Sequence, residues 1–294
     1  MPLPTDPLHP GLPLDTEHRI SVATWNCWSS PYRLEERLRA AAGELSGVDV
    51  VLLQESVPLH GASSASRIAE LAGFDFLVEA GSGLSRCAVL SRFPLEDTVE
   101  LPMSPPRPTG LDVPFLPAVS AGLTHPGSGR RLRVVSAHLA WGSLAEGVRL
   151  RQAVELAAHF DEAIGGDVSR TGDVVGVLGM DSNTFADSST LRYLRGLDPV
   201  EGRSTWFLDT WSIAGDGAGA TSTPKNPHAY RTAGEVGILR PEFLPDRRID
   251  FLLVRGYSFG RPGQPLRARL LGTDPEFPPS DHYGILADLW LPPC

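Results

Sequence analysis

The stretch ISVATWNCWSSPYRLEERLRAAAGELSGVDVVLLQE, residues 20–55, decides how the rest of the chain is read. Ile20 to Trp25 and Val48 to Gln54 are continuous apolar runs of strand length, the pattern of strands buried on both faces. Between them Leu34, Leu38 and Leu45 share one face of an amphipathic helix whose other face is charged. The chain therefore opens as a β-α-β unit. Its strands end on Asn26 and on Gln54-Glu55, polar residues at the edge of an apolar layer.

Working outward, SSASRIAELAG predicts a second helix, and FDFLVE, CAVLSRF and LEDTVEL three short strands. The proline-rich segment at 102–117 reads as an exposed loop, because strand patterns resume directly after it. AVSAGLTH and RLRVVSAHL, joined through PGSGR, predict a β-hairpin. RLRQAVELAAHFDEAI is the clearest helix, and DVVGVLGM is another buried strand. The last third holds TWFLDTW, a long Gly/Pro-rich loop over 215–245, then RIDFLLV, LRARLLG and HYGILADLWL. No repeat or composition break divides the chain. Many strands with a helix in each half predict two β-sheets packed face to face with helices outside. The expected organisation is one α/β domain over 19–292, preceded by a flexible Pro-rich leader at 1–18.

With 294 residues, 41% hydrophobic and 21% charged, the chain has a globular composition and no run approaching the roughly 20 apolar residues of a membrane span. The leader has neither a basic nor an apolar signal region, so a cytoplasmic chain is expected. Cys27, Cys87 and Cys294 are odd in number and far apart, which suggests neither a disulfide framework nor a thiolate metal site. Of 26 basic residues only Lys225 is a lysine, and with 35 acids the net charge is −9. Such a chain has no global attraction for a nucleic acid backbone. A local positive rim remains open to Arg130, Arg131, Arg133, Arg149 and Arg151. The arginine bias is also what GC-rich codon usage produces.

Several motifs are absent: G-x-S-x-G, H-E-x-x-H, C-x-x-C, G-x-G-x-x-G and a Walker A loop. Present instead are polar groups at the ends of apolar strands: Asn26, Glu55, His138, Asp181 with Asn183, Asp250 and Asp281-His282. Singly, each has an ordinary explanation as a turn, a helix cap or a satisfied core histidine. Brought together, they form an oxygen-rich set without thiolates, suited to a hard cation such as Mg²⁺ or Mn²⁺. Their histidines are then left for hydrogen bonding and proton transfer.

The order W-N, Q-E, S-x-H-L, R-x-x-Q (Arg149 to Gln152), G-x-D-x-N, R-I-D-F and S-D-H resembles the endonuclease/exonuclease/phosphatase superfamily. That superfamily includes DNase I-like nucleases, abasic-site endonucleases, sphingomyelinases, inositol polyphosphate phosphatases and tyrosyl-DNA phosphodiesterases. The resemblance covers about residues 19–292 and implies a four-layer α/β/β/α sandwich of two packed mixed β-sheets with helices outside. By motif position it implies that Asn26, Glu55 and Asp281 serve the metal, with Glu55 the principal ligand. Asp181 would activate the attacking water and Asn183 position the phosphoryl group. His282, oriented by Asp250, would donate to a phosphoryl oxygen, and His138 would contact phosphate or assist the leaving group. Arg149 and Asn226, the latter within TPKNPHAY, are the candidate substrate-binding residues.

Two departures stand out: Met180 precedes the acid in Gly179-Met180-Asp181-Ser182-Asn183, and Ser222 follows Thr221 where relatives carry an aromatic. The expected activity is Mg²⁺-dependent phosphoester hydrolysis, with Mn²⁺ as a substitute, by direct attack of water. The acidic charge favours a phosphorylated small molecule, a mono- or diester, over long DNA. Alternatives are a DNA or RNA nuclease, and a family scaffold repurposed for a binding or non-hydrolytic step. No obligate protein partner is evident.

Overall fold

The computed structural model describes residues 5–6, 9–13, 18–83, 86–104, 117–164, 174–235, 237, 240–256 and 261–294. β1 (Arg19–Asn26), α1 (Leu34–Leu45) and β2 (Val50–Ser56) are the opening unit. α2 (Ser64–Ala72), β3 (Phe76–Ala80), β4 (Arg86–Ser91) and β5 (Glu96–Leu101) follow. β6 (Ala118–Thr124) and β7 (Arg131–His138) form the expected hairpin, and α3 (Glu146–Ile164) leads to β8 (Val174–Asp181). Then come α4 (Ser189–Leu194), β9 (Phe207–Asp209), α5 (Thr210–Ala214) and α6 (Pro227–Glu235). β10 (Asp250–Arg255), β11 (Pro265–Leu271) and β12 (Gly284–Trp290) end the chain.

These strands form two six-stranded mixed sheets, ordered β11-β12-β1-β2-β4-β3 and β9-β10-β8-β7-β6-β5. Each sheet has one parallel pair, β1 with β2 and β7 with β8, and each pair is joined across a helix, α1 or α3. Continuous apolar runs at these central strands are explained by burial on both sides. Val22, Val50, Leu52, Val134, Val177 and Leu252 fill the layer between the sheets. Val51 and Leu53 point the other way, onto Leu38, Leu45 and Ile68 of α1 and α2. Val135, Leu178 and Met180 pack outward with Leu156 and Phe160 of α3. Helices, sheet, sheet, helices is the four-layer order expected.

The 102–117 loop and the 1–18 leader lie largely outside the described residues, although Thr5–Asp6 and His9–Pro13 pair as a short antiparallel ribbon. Within 215–245 the structure contains α6 and a 3₁₀ turn at Pro241–Phe243, not loop alone. The missed signal is Asn226-Pro227: proline suits a first helical turn, and the Asn226 carboxamide oxygen accepts the amide of His228 at 2.9 Å. Met180 is no insertion into the ladder. β8 stays in unbroken register with both neighbours, so Met180 takes a regular outward place and Gly179 and Asp181 both face inward.

At Gly179 the two sheets pack tightly against each other. A Cβ there would lie 2.6 Å from Leu52 Cδ1 and 2.9 Å from Thr24 Cβ. Gly179→Ala is therefore expected to destabilise the fold by about 1–3 kcal/mol through overpacking, measured as a lower urea midpoint at unchanged m-value. An unchanged midpoint would show that the sheets can part without cost.

Candidate active site

Strand register explains the convergence in the second sheet. His138 pairs with Asp181 and Asp181 with Asp250, so three adjacent strands place these residues in one row. Neighbouring strands lie about 4.8 Å apart, which brings such side chains into contact range. His138 Nε2 is 3.4 Å from Asp181 Oδ2. Asn183 follows on a left-handed turn, φ 52°, a conformation asparagine tolerates, and its amide donates to Asp181 Oδ1 at 2.9 Å.

The first sheet contributes through a bulge. Simple alternation from Val51 and Leu53 would send Glu55 to the outer helices. Instead the β2–β4 register shifts between Leu53 and Ser56, and Glu55 has φ 56°. The extra residue re-aims Glu55 toward the other sheet, a common use of bulges. The Asn26 Nδ2 amide then bridges the two sheets, donating to Glu55 Oε1 and to Asp181 Oδ2 at 2.9 Å each. Ser29 N donates to the other Glu55 oxygen at 2.8 Å. Burial raises the Glu55 pKa, but His138, Asn26 and Ser29 outweigh it and hold the carboxylate below its ordinary range.

His282 closes the site from the loop before β12. Its Nδ1 lies 2.9 Å from Asp250 Oδ2. Burial would lower its pKa, but Asp250 and Asp181 more than offset this and carry it well above 6.5. Asp250 Oδ1 is buried without a partner. Glu55, His138 and Asp181 each present a ligand atom within 4.8 Å of the others, and so do Asp181, Asp250 and His282.

Other expected residues have different partners. The Asn26 amide oxygen accepts Trp28 N at 2.9 Å, while its Nδ2 holds the two carboxylates. Asp281 belongs to neither cluster among the described residues. Its Oδ2 accepts the Thr232 hydroxyl of α6 at 2.9 Å, and burial pushes it up to about 6. Arg149 is buried, with Nη1 donating to the carbonyls of Ala140 and Gly142 and Nε to Glu146. Gln152 holds Ala140 N in the same loop, so R-x-x-Q braces the turn after His138. Asn226 Nδ2 donates to Ser280 O at 3.0 Å, tying α6 to S-D-H. Arg131 and Arg133 sit at the far end of β7 from His138, and Arg130 bonds the carbonyl of Pro292, so these arginines are not at the cleft. Cys27 packs in the outer core and its thiol is pushed up to about 12 by burial, which leaves it inert.

Sequence reasoning passed over Thr221, Gln54 and Glu146. The Thr221 hydroxyl accepts the amides of Ile249 and Asp250 at 3.1 Å, while its carbonyl accepts Tyr283 N at 2.8 Å. It thereby locks the Asp250 strand to the His282 loop. Gln54 Nε2 donates to Ser136 Oγ across the sheets at 3.0 Å. Glu146 accepts Thr184 and Thr190 hydroxyls and fixes the turn after Asn183. Gln54, next to Glu55 in Q-E, and Thr221, in the loop before R-I-D-F, carried a sequence signal; Glu146 did not. A cleft of about 890 Å³ adjoins these groups, lined by Asn183, Asp281 and His282 and by Trp141, Phe185 and Arg247.

Among curated proteins, none matches the chain in sequence. Similar folds occur among solved structures. An endonuclease/exonuclease/phosphatase from Bacteroides vulgatus superposes with TM-score 0.69 at 18% identity, covering 93% of this chain and 99% of that one. TDP2 from D. rerio, humanized by 14 mutations, superposes with TM-score 0.67 at 18% identity, covering 92% and 98%. D. rerio TDP2 complexed with a single strand DNA product gives 0.66 at 18% identity, covering 94% and 99%. The sequence profile described as the Endonuclease/Exonuclease/phosphatase family matches residues 23–282. With that match spanning both sheets and every strand-end group above, the chain belongs to the endonuclease/exonuclease/phosphatase family of metal-dependent phosphoester hydrolases.

Proposed function

We propose that this chain is a Mg²⁺-dependent phosphoesterase that hydrolyses a small phosphorylated molecule by direct attack of water. The observation that carries the reading is the meeting of Glu55, His138, Asp181, Asp250 and His282 from both sheets at one rim. The donor set fits a hard divalent cation. It is rich in oxygen, and its buried carboxylates crowd one another enough to raise Asp281, where Glu55 and Asp181 add to the effect of burial. Glu55 and Asp181 are the residues that would hold the ion. When bound, it neutralises charge developing on a phosphoryl oxygen.

The remaining chemistry belongs to the chain. Asp181 takes the proton of the attacking water, and Asn183 positions the phosphoryl group. The imidazolium of His282, held by Asp250, donates to a phosphoryl oxygen as negative charge builds there. His138, beside Asp181, contacts phosphate or assists the leaving group. A net charge of −9 and a cleft of about 890 Å³ favour a small substrate. Metal-dependent release of phosphate from small esters, abolished by EDTA, is the expected result; no turnover on esters or on plasmid would end the reading.

One observation favours nucleic acid as a second reading. Trp141 and Phe185 on the cleft walls are 47% and 48% exposed, which suits base stacking, and a structural neighbour is described with a DNA product. Robust Mg²⁺-dependent nicking of supercoiled plasmid by the wild type, lost in His282→Ala, would decide for it.

The His282–Asp250 pair sets the pH behaviour. A folded-state pKa raised above the unfolded value of about 6.5 gives stability that is full below that value and lost as pH rises through the folded pKa. The activity limb that needs the imidazolium should therefore fall only in the alkaline range. In Asp250→Asn it should move down by about one pH unit or more, read from kcat/KM profiles. The stability deficit of that variant should also shrink at alkaline pH. An unmoved limb would remove His282 from this role.

A further inference from the structure

A second pocket, of about 380 Å³, adjoins the catalytic cleft and shares Phe185, Asp187 and Arg247 with it. Four arginines line it: Arg192, Arg195, Arg247 and Arg248. Two are already neutralised. Arg192 forks onto Asp198 at 2.6 and 3.0 Å, and Arg248 onto Asp209 at 2.8 and 2.7 Å. The lining carboxylate Asp246 is likewise taken, by Lys225 at 2.8 Å.

That leaves Arg195, Arg247 and Asp187. Arg195 makes one long contact, Nη1 to Ala186 O at 3.5 Å, and Arg247 donates from Nη2 to Ser222 Oγ at 2.9 Å. Neither has a carboxylate partner among the described residues, and Arg247 Nε is buried without an acceptor. Two guanidinium groups against one carboxylate make this wall positive in a chain of net charge −9. Both walls are also held by the catalytic segments. Phe185 lies two residues beyond Asn183, and Arg247 three before Asp250, with its backbone bonded to Thr221 and Ser222 at 2.8–2.9 Å.

We propose that the Arg195–Arg247 pocket is the subsite for a second phosphate of the substrate, so that the chain acts on molecules with one phosphate at the catalytic cleft and another here. The proposal rests on the phosphoesterase reading of the cleft. Guanidinium forks match phosphate oxygens in pairs, and two donors with incomplete hydrogen bonding supply such a fork without displacing an internal partner. Asp187 tempers the site and sets an upper limit on its affinity.

The test is calorimetry on the full chain in EDTA, where metal-dependent turnover is stopped, with adenosine 5′-monophosphate, adenosine 3′,5′-bisphosphate and a 5′-phosphorylated dinucleotide. A two-phosphate probe should bind about tenfold or more tighter than the monophosphate. The larger gain, bisphosphate or dinucleotide, identifies a small molecule or an oligonucleotide as the source of the second phosphate. Arg195→Ala, at a partly exposed position, should erase the gain and leave monophosphate affinity within about twofold. Arg195→Lys should retain part of it, and Asp187→Asn should increase it. Equal affinities for one- and two-phosphate probes in the wild type, or a gain that survives Arg195→Ala, overturns the subsite. Failure of metal-dependent hydrolysis would instead overturn the reading of the cleft, and the EDTA measurement decides the subsite separately.

Discussion

Asp181→Asn is expected to lower metal-dependent phosphoester turnover by about a thousandfold or more, the scale of a lost general base compounded by weakened metal binding. Asp181 is the meeting point of the site. It accepts Asn26 from the first sheet and Asn183 N from its own turn, at 2.9 Å each, and lies 3.4 Å from His138. Asparagine keeps the volume but removes the charge and the proton acceptor, and its single oxygen can accept only one of the two donors, Asn26 Nδ2 and Asn183 N, that Asp181 accepts. The loss should fall on kcat, with weaker Mn²⁺ binding by calorimetry as an independent readout. Folding should not suffer. Removing one of several crowded buried carboxylates relieves repulsion, so the Tm in EDTA should be unchanged or higher. Activity within tenfold of wild type would exclude Asp181 from the chemistry.

Arg37→Met carries the largest expected stability effect, about 3–5 kcal/mol out of the 5–15 typical of a whole domain. Arg37 on α1 is 1% exposed and has no carboxylate partner among the described residues. Its five N–H groups all go to main-chain carbonyls: Tyr32 from Nε, Cys27 and Pro279 from Nη1, Trp28 and Ser30 from Nη2, at 2.5–3.2 Å. Four of these acceptors shape the loop whose Ser29 amide holds Glu55, and the fifth immediately precedes S-D-H. Methionine fills the space but leaves five carbonyls without their donor, those of Cys27, Trp28 and Pro279 in buried surroundings. Lysine keeps the charge but offers three donors in the wrong geometry, and should fall between. Urea denaturation measures both; a loss under about 1 kcal/mol for Arg37→Met would show that water replaces the guanidinium.

How much of the site was legible depended on whether the information was local. Asn26, Glu55, His138, Asp181 and Asp250 stand out because a polar residue ending an apolar strand has few places to go. The direction of each side chain was not legible. Asn26 offers its NH₂ to two carboxylates because Trp28 N claims its oxygen, and Asp281 turns to Thr232 on a helix hidden in an apparent loop. Arg149 in R-x-x-Q lines the cleft, and that its Nη1 also braces two loop carbonyls was not legible. Arg195 and Arg247, which line the neighbouring pocket, carried no motif.

Sequence alone determined the two-sheet layering, the β-α-β core of each half and the strand ends that carry chemistry, because the periods of 2 and 3.6 dictate which face of each element is buried. Only the tertiary structure decided the row His138–Asp181–Asp250, the bulge that turns Glu55 inward, and the amide of Asn26 that joins the sheets. Register and hydrogen-bond partners are settled between segments remote in sequence. For Asn26 and Asp181 the partners are 155 residues apart, and no local pattern encodes a choice made across that distance.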